Sequence, residues 1–164
     1  MKYIGNCADW IESELIDFLL QSDIGDKVPS SDDHSNDPQF KYWINEGFPY
    51  NKINFTFIFH DSLDFPVELP TIFKHAREWW FSKLNPGDIV PWHADKFKYN
   101  EENIERYWVA MQNYIPGHIF MYEDKPFVDY KKGDIFLFDN PKACHGAANI
   151  SFIPKLSLQV ALEK

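Results

Sequence analysis

The sequence predicts a mainly β protein with helices in front of it, in the form of an antiparallel sandwich or jelly roll. From Trp79 onward, short apolar and aromatic segments are separated by Pro and Gly, with no helical periodicity between them. A parallel sheet needs crossover helices, so this pattern excludes one. Fifteen Phe, eight Tyr and six Trp among 164 residues can fill one core. We therefore expect a single domain over residues 1–164, with 1–78 as a helical and loop elaboration and 79–164 as the β core.

In the N-terminal segment, residues 8–21 carry apolar side chains at three- and four-residue spacings and predict an amphipathic helix capped by Asp9. Residues 25–38 are rich in Ser, Asp, Asn and Pro, which predicts a solvated loop; a calcium loop would need alternating acids and a central Gly. Residues 54–60 predict a strand, and 69–78 a short helix opened by Pro70. Further strands are expected at 80–84, 88–95, 107–115, 118–122, 134–138 and 155–162.

The net charge of −9 is uneven, since residues 1–50 hold ten acids and three lysines. No Lys or Arg cluster is present, which argues against binding to a nucleic-acid backbone or an anionic membrane. Cys7 and Cys144 are too few for a disulfide framework and lack zinc-site spacing. No apolar stretch approaches the ~20 residues of a spanning helix. We expect a soluble protein of a reducing, cytoplasmic compartment.

The sequence around His93 suits a metal site. His93 and Asp95 are two positions apart on a predicted strand, so both side chains point to one face about 7 Å apart. An imidazole and a carboxylate so placed can bind one ion. His145, after the predicted strand at 134–138 and a short turn, is the candidate third ligand. The remaining histidines, His34, His60, His75 and His118, are interpreted as ordinary surface or core residues.

This arrangement resembles the iron(II)- and 2-oxoglutarate-dependent oxygenase superfamily. The resemblance covers about residues 80–160. It consists of an H-x-D motif, 49 intervening residues, a second His after a Gly-Asp-apolar strand, and a basic residue ten positions later with Ser two beyond it. Gly87 matches a glycine that commonly precedes the family's H-x-D motif. The resemblance implies a double-stranded β-helix, the cupin-like form of the jelly roll.

The resemblance further implies that His93, Asp95 and His145 bind Fe(II) and are the catalytic triad of a dioxygenase. Such a triad leaves three open positions for 2-oxoglutarate and dioxygen. The implied reaction is a hydroxylation, in which decarboxylation of 2-oxoglutarate to succinate is coupled to C–H oxidation of an unidentified small-molecule or peptide substrate.

The family usually binds the distal carboxylate of 2-oxoglutarate with an arginine in an R-x-S pattern. This chain instead has Lys155 and Ser157, and neither of its arginines, Arg77 and Arg106, follows His145. Lys155 and Ser157 are therefore the expected co-substrate residues, and analogy adds an inward-facing Asn113. Lys binds as a point charge rather than as a bidentate fork.

Several alternatives remain open at this point. Arg106 could reach the co-substrate, although pairing with Glu102 or Glu105, or capping the barrel rim, is the preferred interpretation. Cys144 is interpreted as a buried structural thiol, and the alternative is a catalytic nucleophile. One or two of Trp79, Trp80, Trp92 and Trp108 could line a pocket that excludes water from the reactive centre. If Trp92 does so, Trp92→Phe should increase succinate formation that is not coupled to substrate oxidation. As a whole, the protein could instead be a cupin-like metal-dependent hydrolase, or a non-catalytic jelly-roll module that binds a metal or ligand.

Overall fold

The computed structural model of the chain describes residues 1–21, 25–28, 38–47, 55–63, 66–94, 103–140 and 142–164. Within these residues the strands form two antiparallel sheets. A seven-stranded sheet has the order β1-β9-β6-β11-β4-β3-β2, and a four-stranded sheet has the order β5-β10-β7-β8. The strands are β1 (Lys2–Asn6), β2 (Asp26–Val28), β3 (Phe55–Phe59), β4 (Ala76–Leu84), β5 (Ile89–His93), β6 (Ile104–Ala110), β7 (His118–Tyr122), β8 (Lys125–Pro126), β9 (Asp134–Leu137), β10 (His145–Asn149) and β11 (Lys155–Glu163).

From β4 to β11 the chain passes back and forth between the two sheets. Strands β4, β6, β9 and β11 lie in the large sheet, and β5, β7, β8 and β10 in the small one. Eight antiparallel strands divided in this way form a jelly roll. The mainly β, antiparallel prediction is therefore confirmed. The remaining strands, β1, β2 and β3, extend the large sheet at its two edges.

The N-terminal segment is less helical than expected. Helix α1 spans Ser13–Gln21, and the start of the predicted helix is a 3-10 turn at Ala8–Trp10. A second helix, α2 (Pro38–Asn45), was not predicted. The helix expected over residues 69–78 is wrong. Within this range only Thr71–Phe73 is helical, as a 3-10 turn. The residues from Ala76 onward belong instead to β4, because they pair with β11.

Helix α1 packs on the outer face of the large sheet. Leu15 and Leu19 belong to an apolar cluster that includes alternate residues of the sheet strands, namely Tyr107, Val109, Met111, Leu156, Leu158 and Val160. The buried Lys83 on β4 donates from Nζ to the carbonyl oxygens of Leu19 and Leu20, at 2.9 and 2.8 Å, near the helix C-terminus. These contacts define the outer face, so the intervening residues of β6 and β11 point between the sheets.

The space between the sheets holds a second apolar cluster. Its buried members include Trp108, Phe120, Tyr122 and Phe138. Trp108 stacks on Phe120, with ring centroids 5.2 Å apart, and joins the two sheets. Among the described residues, no helix has the length and apolar character needed to cross a membrane.

Candidate metal and ligand site

His93 and His145 lie side by side at one end of the small sheet. His93 ends β5, His145 begins β10, and the two residues are direct partners in the strand register. Their ring centroids are 4.5 Å apart at an interplanar angle of 51°. The structure thus brings together two of the three predicted metal ligands.

Backbone carbonyls set the orientation of both imidazoles. His93 Nδ1 lies 2.7 Å from the oxygen of Pro91, and His145 Nδ1 lies 3.2 Å from the oxygen of Ala143. A carbonyl oxygen only accepts hydrogen bonds, so each Nδ1 carries the proton and donates it. Nε2 is then the unprotonated nitrogen of each ring, the nitrogen that would bind a metal.

The surroundings keep both rings neutral. Burial lowers the pKa of His145 to about 2, with further lowering by the charge of Arg106 and by His93. Burial also lowers the pKa of His93 to about 4, and Arg106 adds to this, while the hydrogen bond to Pro91 acts in the opposite direction. Neutral imidazole is the form that binds a metal.

Aromatic side chains surround the histidine pair. The buried Trp43 of α2 meets the His93 ring edge-on at 5.2 Å, and its Nε1 donates to the Trp92 oxygen at 3.3 Å. On the other side, Phe138 lies 5.3 Å from His145. These contacts limit rotation of both imidazoles and exclude water from one side of each.

The third predicted ligand, Asp95, lies outside the described residues. In the part of the chain that is described, no three His, Cys, Asp or Glu side chains are grouped so that they could hold an ion. Two neutral imidazoles whose ring centroids are 4.5 Å apart fit a divalent transition metal as a partial donor set. Asp95, two residues after His93, remains the proposed third donor.

A cavity of about 190 Å³ lies between the sheets beside the histidine pair. Its polar lining comes mainly from the inner faces of β4, β6 and β11, as Ser82, Arg106, Lys155, Ser157 and Gln159. Aromatic and aliphatic residues complete the wall. Among the described residues that line this cavity there are two cations and no carboxylate. The part of the cavity beside Lys155 is therefore suited to an anion.

Lys155 is 2 % exposed, and its Nζ lies 5.5 Å from the Trp108 ring centroid and 5.3 Å from that of Phe120. It forms no hydrogen bond or ion pair with any described residue. Burial lowers the pKa of Lys155 to about 8, so the amine remains mainly charged at neutral pH. Ser157, also buried, lies two positions along the same inner face, where its Oγ accepts a 3.5 Å hydrogen bond from Gln159 Nε2.

Arg106 also enters the cavity, contrary to the preferred interpretation of the sequence. Its Nε and Nη2 donate to Gln159 Oε1 at 3.3 and 3.0 Å, and its Cζ lies 4.8 Å from the Phe138 ring centroid. Glu105, one of the two expected partners, instead accepts a hydrogen bond from the Tyr107 hydroxyl at 2.7 Å. Glu102 is outside the described residues. Burial lowers the pKa of Arg106 to about 9, which leaves the guanidinium charged at neutral pH.

Asn113 does not occupy the inward position that was expected. It lies beyond the end of β6, is exposed, and accepts a 2.9 Å hydrogen bond from the backbone nitrogen of Lys132. The physical reason is that the other residues assigned to its strand face, Tyr107, Val109 and Met111, pack toward α1. Arg106 and Trp108 form the face that lines the cavity.

Other sequence candidates lie away from the cavity or act as packing groups. His118 is 1 % exposed and donates from Nε2 to the Ile153 oxygen at 2.9 Å. His75 is exposed, His60 packs against Trp79, and Cys144 is a half-buried free thiol. Trp92 is 40 % exposed and does not line the cavity, whereas Trp80 and Trp108 do.

Three contributors to the site were not assigned a role from the sequence. Trp43 belongs to a helix that was not predicted, so no sequence pattern linked it to His93. Ser82 and Gln159 lie on β4 and β11, and each alternates with residues of the outer face. Because side chains alternate along a strand, Lys155 and Ser157 share one face of the predicted strand at 155–162. The next residue on that face is Gln159, so the same pattern could have identified it.

No protein-family model matches the chain, and no curated protein matches it. Solved structures show limited similarity. A predicted oxalate decarboxylase from Thermotoga maritima is 18% identical, with a TM-score of 0.43, over 68% of this chain and 82% of that one. A cupin protein from Bacteroides fragilis is 15% identical, with a TM-score of 0.42, over 71% and 81%. KdgF from Halomonas sp. is 13% identical, with a TM-score of 0.42, over 67% and 79%.

These neighbours share a β-rich character with the chain, and at such identities and TM-scores they carry no argument about its ligand or activity. The strand order shows that the chain is an antiparallel jelly roll. Within it, His93 and His145 lie beside a cavity whose lining includes Arg106 and Lys155.

Proposed function

We propose that this protein binds a divalent metal through His93, His145 and Asp95, and that it acts as an iron(II)- and 2-oxoglutarate-dependent oxygenase. One observation carries the proposal, namely the buried ammonium of Lys155, which has no acid partner among the described residues and lines the cavity that also contains the histidine pair. A metal centre alone has no need of this ammonium, since a positive charge beside it disfavours cation binding.

An anionic ligand would supply the partner that the Lys155 ammonium lacks among the described residues. A buried ammonium with no acid partner is unfavourable, because it has lost its hydration without a compensating charge. A carboxylate bound at Lys155 supplies that charge, with Ser157 as an additional donor. The Phe120 ring centroid lies 5.3 Å from Lys155 Nζ and 6.5 Å from the centroid of the His145 ring, and all three residues line the same cavity. The proposed dicarboxylate would bind Lys155 with one end and the metal with the other.

The protein residues then have distinct tasks. When bound, ferrous iron supplies coordination of the 2-oxo acid and activation of dioxygen. His93 and His145 hold the metal through Nε2, oriented by the carbonyls of Pro91 and Ala143. Lys155 and Ser157 bind the distal carboxylate, while the aromatic residues around the imidazoles limit water access to the centre.

The experiment combines metal analysis with turnover. Freshly purified protein is assayed for bound iron and zinc, and the iron-loaded protein is then mixed with 2-oxoglutarate in air while succinate and carbon dioxide are measured. We expect iron-dependent succinate formation in the wild type and none in His93→Ala. Binding of metal without any effect of 2-oxoglutarate would overturn the oxygenase proposal and favour a metal-binding jelly-roll module or hydrolase.

A further inference from the structure

Trp80 is fixed in the wall of the cavity. It lies on β4 directly opposite Gln159 of β11, on the inner face of the large sheet. Its ring packs against Phe57 at 6.0 Å and Phe59 at 6.1 Å, and the Arg106 Cζ lies 5.6 Å from its ring centroid. Packing from three sides gives the indole little freedom to turn toward another acceptor.

The indole nitrogen of Trp80 is buried, and it has no hydrogen-bond acceptor among the described residues. An indole N–H only donates, so it is satisfied only by an acceptor. Buried donors without acceptors are rare in folded proteins, because their desolvation is not compensated. This donor belongs to a side chain that lines the cavity, which makes a ligand the natural source of the missing acceptor.

The neighbouring side chains do not supply that acceptor. Gln159 Oε1, directly across the strand pair, already accepts two hydrogen bonds from Arg106. The hydroxyls of Ser82 and Ser157 can accept as well as donate, but neither accepts a hydrogen bond from Trp80, and the Lys155 ammonium only donates. The wall formed by β4 and β11 is therefore rich in donors and fits a ligand rich in acceptor oxygens.

We propose that Trp80 is a further co-substrate-binding residue, which donates its indole N–H to a carboxylate oxygen of the 2-oxo dicarboxylic acid in the cavity. This inference rests on the proposed function for the identity of the ligand. It adds a neutral directional donor on β4 to the charge of Lys155 on β11, so the ligand is held from both strands. It also explains why an indole, rather than a phenyl ring, occupies this position.

The direct test is a nuclear magnetic resonance titration of the full-length protein labelled with ¹⁵N and loaded with Zn²⁺, which is diamagnetic and redox-inert. The six tryptophans give six indole N–H signals, and the one missing from Trp80→Phe is assigned to Trp80. On addition of 2-oxoglutarate, this signal is expected to move downfield and to exchange more slowly with water. A Trp80 signal that stays unmoved while 2-oxoglutarate binds would overturn the inference.

Binding measurements on matched variants provide the second readout. Trp80→Phe keeps an aromatic ring but loses the donor, so its Kd for 2-oxoglutarate is expected to rise about tenfold, the effect of one lost hydrogen bond to a charged acceptor. The control is Trp79→Phe, because Trp79 is adjacent but lies on the outer face against Phe81 and His60. Its Kd should equal that of the wild type.

The thermal stability of the variants separates binding from packing. Without 2-oxoglutarate, Trp80→Phe should lose no more stability than Trp79→Phe, since its lost N–H had no acceptor. Greater destabilisation combined with an unchanged Kd would assign Trp80 a purely structural role and overturn the inference. If the wild type does not bind 2-oxoglutarate, the proposed function fails. If the wild type binds it and Trp80→Phe binds it with the same Kd, only the role of Trp80 is contradicted.

Discussion

At the scale of single residues, Lys155 is a buried ammonium with no acid partner among the described residues. The sequence places a lysine where the resembled family usually has an arginine, and the structure surrounds its ammonium with the rings of Trp108 and Phe120. A lysine in such a position is bound to its ligand mainly through charge, because it lacks the planar fork of a guanidinium. Its protonation state should therefore be linked to folding.

That linkage gives a pH-dependent prediction. Burial lowers the pKa of Lys155 from 10.5 to about 8, and the charge of Lys155 in turn contributes to a lowered pKa at the neighbouring His118. Between about pH 8 and 10.5 the unfolded chain keeps a proton that the folded chain has lost. The free energy of unfolding of the metal-free protein should therefore rise over this window, by about 3 kcal/mol at most.

Chemical denaturation of wild type and Lys155→Met at several pH values checks this. The variant should lack the rise, and at neutral pH it should be at least as stable as the wild type because an unpaired buried charge has been removed. Burial raises the pKa of Tyr107 and of Tyr122 to about 12, which lowers stability above pH 10 in both proteins. The difference between the two curves is thus the quantity to compare. Parallel curves would contradict the burial of the Lys155 ammonium.

Arg106 and Asn113 show what alternation along a strand can and cannot predict. The sequence correctly separates Arg106 and Trp108 from Tyr107 and Val109, because strand side chains alternate. It does not say which face is inside, since both faces of this strand carry large aromatic or aliphatic side chains. Helix α1 packs on the Tyr107 face, which makes that face the outer one. This contact joins residues far apart in the chain, so no local sequence pattern predicts it.

At the scale of elements, helix α2 contributes a side chain to the candidate metal centre. Trp43 contacts the His93 ring and donates to the backbone next to it, and it also packs with Phe55 and Leu84. Trp43→Leu should weaken Co²⁺ or Zn²⁺ binding several-fold, because the His93 ring loses the group that limits its rotation. Calorimetric titration with either metal measures the effect.

Two further variants make the test of α2 specific. Tyr42→Leu on the same helix, where Tyr42 is 50 % exposed, should bind metal as the wild type does. Trp43→Phe keeps an aromatic edge for His93 and should restore most of the lost affinity. Equal metal binding by all three variants and the wild type would show that α2 does not position His93.

The contact between β10 and β5 depends on Gly146. A Cβ at this position would lie 3.1 Å from the Val90 oxygen and 3.3 Å from the Trp92 nitrogen, so the two strands would have to separate by a few tenths of an ångström. Because this pair of strands also carries the two histidines, Gly146→Ala is expected to lower both the Tm and the metal affinity. Thermal denaturation and metal titration report the two effects.

Gly5→Ala is the matched control, because a Cβ there would meet no atom within 4 Å. It should leave the Tm and metal affinity unchanged. If Gly146→Ala behaves in the same way, the close approach of β10 to β5 is not what aligns the histidines.

Elements with strong local patterns were the ones that the sequence predicted well. The strand over residues 118–122 agrees with β7, and β3, β9 and β11 agree within one residue at either end. The edge strand β1 was missed, because its short sequence has no alternation and its pairing with β9 is non-local. The helix expected at residues 69–78 was wrong for the same reason, since pairing with β11 overrides a local helical spacing.

At the scale of the whole molecule, an acidic chain encloses a cationic cavity. The net charge is −9, with most of the excess acid in residues 1–50, whereas the described lining of the cavity contains Arg106 and Lys155 without a carboxylate. The jelly roll makes this separation possible, because inner and outer side chains alternate along every strand. The sequence predicted the mainly β fold class and grouped His93, His145 and Lys155 at one site, but the convergence of Arg106, Trp80 and Gln159 on the same cavity depends on strand register.

In the proposed function, one cavity holds both a metal bound by His93 and His145 and a dicarboxylate bound by Lys155. The most direct test is an anaerobic titration of the full chain with Fe(II) and then 2-oxoglutarate, followed by visible absorption. We expect a weak charge-transfer band in the wild type, no band in His93→Ala, and a band in Lys155→Met only at much higher 2-oxoglutarate concentration. A wild type that binds Fe(II) but shows no band at saturating 2-oxoglutarate would contradict it.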